Sequence, residues 1–125
     1  MNLKLASSKF SKYTISEIPL DYCYLLTDNI IKNMNLHTLN ANSYDNKITD
    51  EGIKNMKLHT LYASGNNKIT DEGIKNMKLH TLNASGNNKI TDEGIKNMKL
   101  HTFNSYGNRL ITDNGIKNMT YTLCQ

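Results

Sequence analysis

Proline and arginine occur once each, cysteine twice, and no long apolar run is present. Cys23 and Cys124 stand about a hundred residues apart, which excludes a disulfide framework. No segment approaches the roughly 18 apolar residues that a membrane span needs, so no membrane partner is expected. Met1 to Phe10 lacks the apolar stretch of a secretory signal, which points to a reduced, cytoplasmic setting. The glycosylation-type triplets Asn83-Ala84-Ser85 and Asn118-Met119-Thr120 carry no weight without secretion. Lysine outnumbers arginine 14 to 1, although arginine suits bidentate phosphate contacts best. The net charge of +4 permits only weak attraction to polyanions. Asn, Lys, Ile and Tyr abound, a usage that fits an AT-rich genome.

What the chain does have is a period. Lys68 to Asn88 spans 21 residues, Lys89 restarts the same run, and the preceding copy begins at Lys47. Such self-similarity marks a repeat architecture. Hydrophobic residues make up 38% of the 125, thin for one globular core. A stack of repeats manages with less, because each unit buries a narrow stripe against its neighbours.

Within one unit, Leu79, Leu82 and Ala84 are apolar while Thr81, Asn83 and Ser85 are polar. The alternation predicts a short half-buried strand over Thr81 to Ser85. Gly86-Asn87-Asn88 is a turn. Ile90 returns to the core, and Thr91-Asp92-Glu93 reads as a capped helix start. Ile95 and Met98 form the buried stripe of that helix. Glycine costs helix propensity, so its recurrence at Gly52, Gly73, Gly94 and Gly115 points to close approach of adjacent coils. Glu51, Glu72 and Glu93 precede Lys54, Lys75 and Lys96 by three residues, a spacing for weak helical ion pairs.

Residues 1–14 match the unit poorly and are expected to cap the first coil, with the repeat domain running over 15–125. In the first unit Ile15, Ile18 and Leu20 take strand positions. Pro19 lies among them, where proline is tolerated mainly at a sheet edge. Thr27 to Thr49 is 22 residues, so the second unit carries an insertion around Asn42 to Asp45. Counting back from Thr49 sets Asp45 at the position of Asn66. Five units and a partial sixth, around Tyr121 to Cys124, complete the array.

Leu79-x-x-Leu82-x-Ala84-x-x-Asn87-x-x-Ile90-Thr91-Asp92-x-Gly94-Ile95 resembles a leucine-rich repeat. The tail Ile-Thr-Asp-x-Gly-Ile is similar to the cysteine-containing subclass of F-box and ribonuclease-inhibitor-like proteins, and Cys23 matches its cysteine. Alanine at the last strand-leucine position and Ser105 in the fifth unit depart from the pattern. The resemblance implies an α/β leucine-rich repeat solenoid: a right-handed arc with parallel strands on the concave face and short helices on the convex face. It also implies a structural ladder at Asn66, Asn87 and Asn108, with Cys23 as its counterpart in the first coil.

Repetition turns each position into a column. His37, His59, His80 and His101 form one at the strand entrance. Surface packing is its expected role, with partner contact or metal binding as alternatives; a linear row lacks the closed geometry of a metal site. Close stacking of these rings would lower their pKa values below about 6.5. The concave columns are Thr38, Thr60, Thr81 and Thr102, then Asn40, Tyr62, Asn83 and Asn104, then Ser64, Ser85 and Tyr106 with Tyr44 nearby. They are neutral, polar and tyrosine-bearing, and tyrosine favours protein interfaces. The lysines fall mainly on the helix side, away from the tyrosines, so nucleic acid is not the expected partner. No catalytic constellation and no cofactor or metal motif stands out.

These features point to a non-catalytic module that binds an unidentified protein partner through its concave face. One alternative is a structural unit that self-associates, for example as a homodimer, through an exposed C-terminal edge strand. Another, by subclass resemblance alone, is a substrate adaptor in ubiquitin ligation.

Overall fold

The computed structural model describes residues 18–117, 119 and 122–124. The expected cap at 1–14 and the strand position at Ile15 lie outside these residues. After a first coil that carries two short helical turns among the described residues, the chain forms successive coils, each a short strand, a turn and one turn of helix. In order these are α1 (Leu20–Cys23), α2 (Asp28–Ile31), β1 (Thr38–Asn40), α3 (Asp50–Ile53), β2 (Thr60–Tyr62), α4 (Asp71–Ile74), β3 (Thr81–Asn83), α5 (Asp92–Ile95), β4 (Thr102–Asn104), α6 (Asp113–Ile116) and β5 (Thr122–Cys124). The strands form one parallel sheet in sequence order, with Thr38, Thr60, Thr81 and Thr102 in register. This is an α/β solenoid.

One coil shows why the sequence folds this way. Leu79, Leu82, Ala84, Ile90, Ile95 and Met98 are each at most 5% exposed, and together they fill the space between sheet and helix. Phe103 takes the place of Leu82 in the fifth unit and is completely buried. The side chain of Thr91 accepts the Glu93 N–H, capping α5 as the sequence predicts. Lys96 Nζ lies 2.7 Å from Glu93 Oε2, and the same pair recurs at Lys54–Glu51 and Lys75–Glu72. The strand is shorter than the predicted Thr81 to Ser85, ending at Asn83. Pairing between coils nevertheless continues through Ala84 N–H to Asn104 O at 2.8 Å and Gly86 N–H to Tyr106 O at 2.8 Å.

The aspartate that leads each helix does more than face the helix start. Asp71 Oδ1 accepts the Thr91 N–H at 2.8 Å, and Oδ2 accepts the Thr91 hydroxyl at 2.5 Å, one coil further on. Asp28, Asp50 and Asp92 hold Thr49, Thr70 and Thr112 in the same way. The helical glycine makes room for this. A Cβ on Gly94 would collide with Asp71 Oδ1 and lie 2.9 Å from its Cγ.

Asn66 and Asn87 are fully buried and Asn108 nearly so. Each amide Nδ2 donates to carbonyls of the preceding coil, Asn87 reaching Ala63, Asn66 and Ile69. Each Oδ1 accepts the N–H two residues on. Buried amides need such partners.

Two sequence expectations are corrected. Asp45 does not stand in for Asn66: it is exposed. Asn46 takes over part of that role, accepting the Ile48 N–H at 2.8 Å and donating to Asn42 O at 3.3 Å. Ser43 adopts φ 90° in the place where later coils use Gly65, Gly86 and Gly107, and the inserted residue follows it. Nor do Ile18 to Leu20 end a first strand. Pro19 precedes α1 instead, its ring fixing φ at −55° and its carbonyl accepting the Tyr22 N–H at 2.9 Å.

Candidate functional site

The strand face is built from residues that alternate with the buried leucines. Leu39, Leu61 and Leu82 point into the core, so their neighbours Thr38, Thr60, Thr81 and Asn40, Tyr62, Asn83 form rows on the other side. Asn40, Tyr62, Asn83 and Asn104 are half-buried, as are Thr38, Thr81 and Thr102, while Thr60 is only 8% exposed. Ser85 is half-buried, and its hydroxyl donates to Tyr106 O at 3.0 Å. Tyr44 and Tyr106 stand out at the turns, 72% and 69% exposed. The structure therefore brings the threonine and asparagine rows together and sets the two turn tyrosines at the rim.

The asparagines of this face are held by their own backbone. Oδ1 of Asn40, Asn83 and Asn104 accepts the N–H of Asn42, Ser85 and Tyr106 at 3.0, 3.0 and 2.9 Å. Tyr62 cannot make this bond. There Asn42 from the preceding coil takes the Ser64 N–H at 2.8 Å instead. The irregular second unit thus compensates the irregular third one.

At the strand entrance the four histidines stack. Ring centroids are 4.4, 4.5 and 4.6 Å apart along His37, His59, His80 and His101, with interplanar angles of 16°, 16° and 12°. Each Nδ1 lies 2.9 to 3.4 Å from the hydroxyl of the following threonine. Burial, and then the neighbouring His37 and His80, push the His59 pKa below its ordinary value. The row is linear, and among the described residues no cluster of three or more His, Cys, Asp or Glu could hold a metal.

Cys23 lies in α1, with its Sγ 3.7 Å from Ile18 O and 3.6 Å from Pro19 O. Beside it a cleft of about 250 Å³ opens between the first coil and the insertion, lined by Tyr24, Asn40, Asn42, Ser43, Asp45 and Asn46. Tyr24 is 74% exposed, and sequence reasoning did not single it out. The available signal was the loss of repeat regularity on both sides of the cleft. Two further grooves, of about 320 and 300 Å³, lie between adjacent helical edges at Met56 to Lys78 and Met77 to Lys99. They repeat from coil to coil and so follow from the period.

A stack of strand–turn–helix coils with a polar strand face defines a repeat-type scaffold. Two adjacent stretches, residues 54–76 and 75–99, match the Leucine Rich repeat family. Residues 54–99 are leucine-rich repeats. The match is to the repeat as such; the cysteine-containing subclass stays a resemblance. No curated protein matches the chain. Repeats of this family generally mediate protein–protein interaction and are generally non-catalytic. Among the described residues no helix is long and apolar enough to cross a membrane.

Proposed function

We propose that this chain is a non-catalytic module that binds a protein partner through its strand face. The observation that carries the reading is the arrangement of that face. Its threonine and asparagine rows are in register and, apart from the buried Thr60, half-buried, and the aromatic Tyr62 sits among them with Tyr44 and Tyr106 at the rim. Tyrosine is enriched at protein interfaces, and tyrosine beside serine and asparagine is the composition of antibody binding loops. A rigid sheet also loses little entropy on binding, since the asparagines are already fixed by backbone bonds.

The test is capture of partners from cells that express the chain, with wild type compared against Tyr62→Ala combined with Asn83→Ala. Loss of specific partners supports the reading, and an unchanged set of partners refutes it. Light scattering over a range of concentrations separates it from self-association. A monomer at all concentrations fits partner binding, whereas mass that rises with concentration fits an assembly unit.

A further inference from the structure

We infer that the cleft between the first coil and the insertion binds a single neutral sugar ring, stacked on Tyr24 and held by Asn40, Asn42 and Asp45. The site goes beyond the strand-face reading and shares only Asn40 with it. Its place in the fold singles it out. The grooves between helical edges recur with the period, each with Met, Lys and Asn in the same places. This cleft instead forms where the first coil and the insertion both break the repeat. Tyr24 follows Cys23, where later coils carry Asn67 and Asn88, and it is 74% exposed.

The lining selects the class of ligand. No lysine or arginine is in it, so a phosphate or carboxylate finds no countercharge there. Asp45 is its one carboxylate, too few for a hard cation. No aliphatic side chain lines it, so a lipid chain would gain little by entering. What remains is one aromatic ring beside amides, a hydroxyl and a carboxylate. A pyranose matches that set. Its C–H face is apolar and packs on an aromatic ring, and each of its hydroxyls both donates and accepts. At about 250 Å³ the cleft is smaller than the roughly 300 to 1,000 Å³ of drug-sized sites, which fits one ring.

The polar groups are available and held in place. The oxygens of Asn40 and Asn42 accept the Asn42 and Ser64 N–H groups at 3.0 and 2.8 Å, so each Nδ2 is the end left for a ligand. Among the described residues no bond engages those two Nδ2 groups, the Asp45 carboxylate or the Tyr24 hydroxyl. Donors and an acceptor therefore line one cleft, as neighbouring hydroxyls of a sugar require. The wall is braced: Ser43 Oγ accepts the Asp45 N–H at 3.2 Å, Asn46 Nδ2 donates to Asn42 O at 3.3 Å, and Lys68 Nζ donates to Asn46 O at 2.8 Å. A braced wall loses little entropy on binding. A nucleobase also has a flat face and a polar edge. Asparagine reads adenine with both ends of its amide, however, and here the oxygens are taken.

The test titrates the isotope-labelled full chain with glucose, galactose, mannose and N-acetylglucosamine, and separately with adenosine and guanosine. It follows the side-chain amide NMR signals of Asn40 and Asn42. At least one sugar is expected to shift these signals to saturation, with a Kd on the order of 1 mM. Tyr24→Ala should weaken that sugar about tenfold, and Tyr24→Phe, which keeps the ring, by less than about threefold. Asp45→Ala should weaken it about tenfold or more. Tyr106→Ala, at a similarly exposed tyrosine on another turn, should leave binding unchanged. Far-UV circular dichroism verifies that each variant is folded. Absence of a saturable shift with every sugar, equal effects of Tyr24→Ala and Tyr106→Ala, or tighter binding of either nucleoside overturns the inference. These variants leave Tyr62 and Asn83 in place, so such a failure does not touch the strand-face reading.

Discussion

Replacing Gly94 with alanine separates local helix preference from packing between coils. Helix propensity alone predicts a gain of about 1 kcal/mol, because glycine is the poorer helix former. The structure predicts the opposite. The added Cβ collides with Asp71 Oδ1 and sits 2.9 Å from Cγ and 3.2 Å from the Asp71 Cα. Because a backbone atom is among those crowded, rotating the carboxylate away does not fully relieve the clash. Displacing it also breaks the bonds at 2.8 and 2.5 Å that hold the Thr91 N–H and hydroxyl. A hydrogen bond to a charged group contributes about 1.5 to 3 kcal/mol, and half-exposure places these two near the lower end. Two such bonds offset by the propensity gain leave a net loss of about 2 kcal/mol. For a chain of this size that lowers the melting temperature by roughly 6 to 10 °C. Thermal and urea unfolding followed by circular dichroism measure it directly. A double-mutant cycle sharpens the result: in an Asp71→Ala background, Gly94→Ala should cost less than about 0.5 kcal/mol. Gly94→Ala that leaves stability unchanged or raises it in the wild-type background refutes the account.

Other expectations follow from the same geometry. Asn87→Ala leaves the carbonyls of Ala63, Asn66 and Ile69 and the N–H groups of Lys89 and Ile90 short of partners. It should cost about 3 kcal/mol or more in urea unfolding, while exposed Asn76→Ala stays within about 0.5. Ser43→Gly relieves a side chain held at φ 90° and should raise stability in urea unfolding by about 0.5 to 1 kcal/mol. Because the folded-state pKa of His59 is lowered, the native protein binds fewer protons there than the unfolded chain. Its contribution to stability is full above about pH 6.5 and declines as the pH falls toward the lowered folded value. Urea midpoints from pH 7.5 to 5, a range chosen to span the histidine value of about 6.5, should drop in wild type and drop less in His59→Gln. Glu72→Gln removes an exposed ion pair at 2.8 Å and should change stability by less than about 0.5 kcal/mol.

The sequence by itself determined whatever depends on neighbours within one unit. The alternation of Leu79, Leu82 and Ala84 with polar residues placed the strand and its core face. Thr91 before Asp92-Glu93 placed the helix cap, and Glu93 three residues before Lys96 placed the ion pair. These are short-range patterns whose geometry is set by helical and strand periods. The fixed 21-residue spacing then ordered the coils, so columns such as the four histidines could be read without coordinates.

Tertiary structure decided whatever joins one coil to the next. Asp71 reads locally as an acid at a helix start, yet its partner is Thr91, 20 residues away, and only stacking brings them together. Counting from one side of the insertion gives Asp45 the ladder position; the fold gives part of it to Asn46, because the extra residue falls after the turn at Ser43. Pro19 sits in a segment patterned like a strand, yet it opens a helical turn. The orientation of the asparagine amides was equally hidden, since an amide's two ends are told apart only by the bond that one of them makes. Composition supplied a polar face, and the bonds made in the fold oriented it.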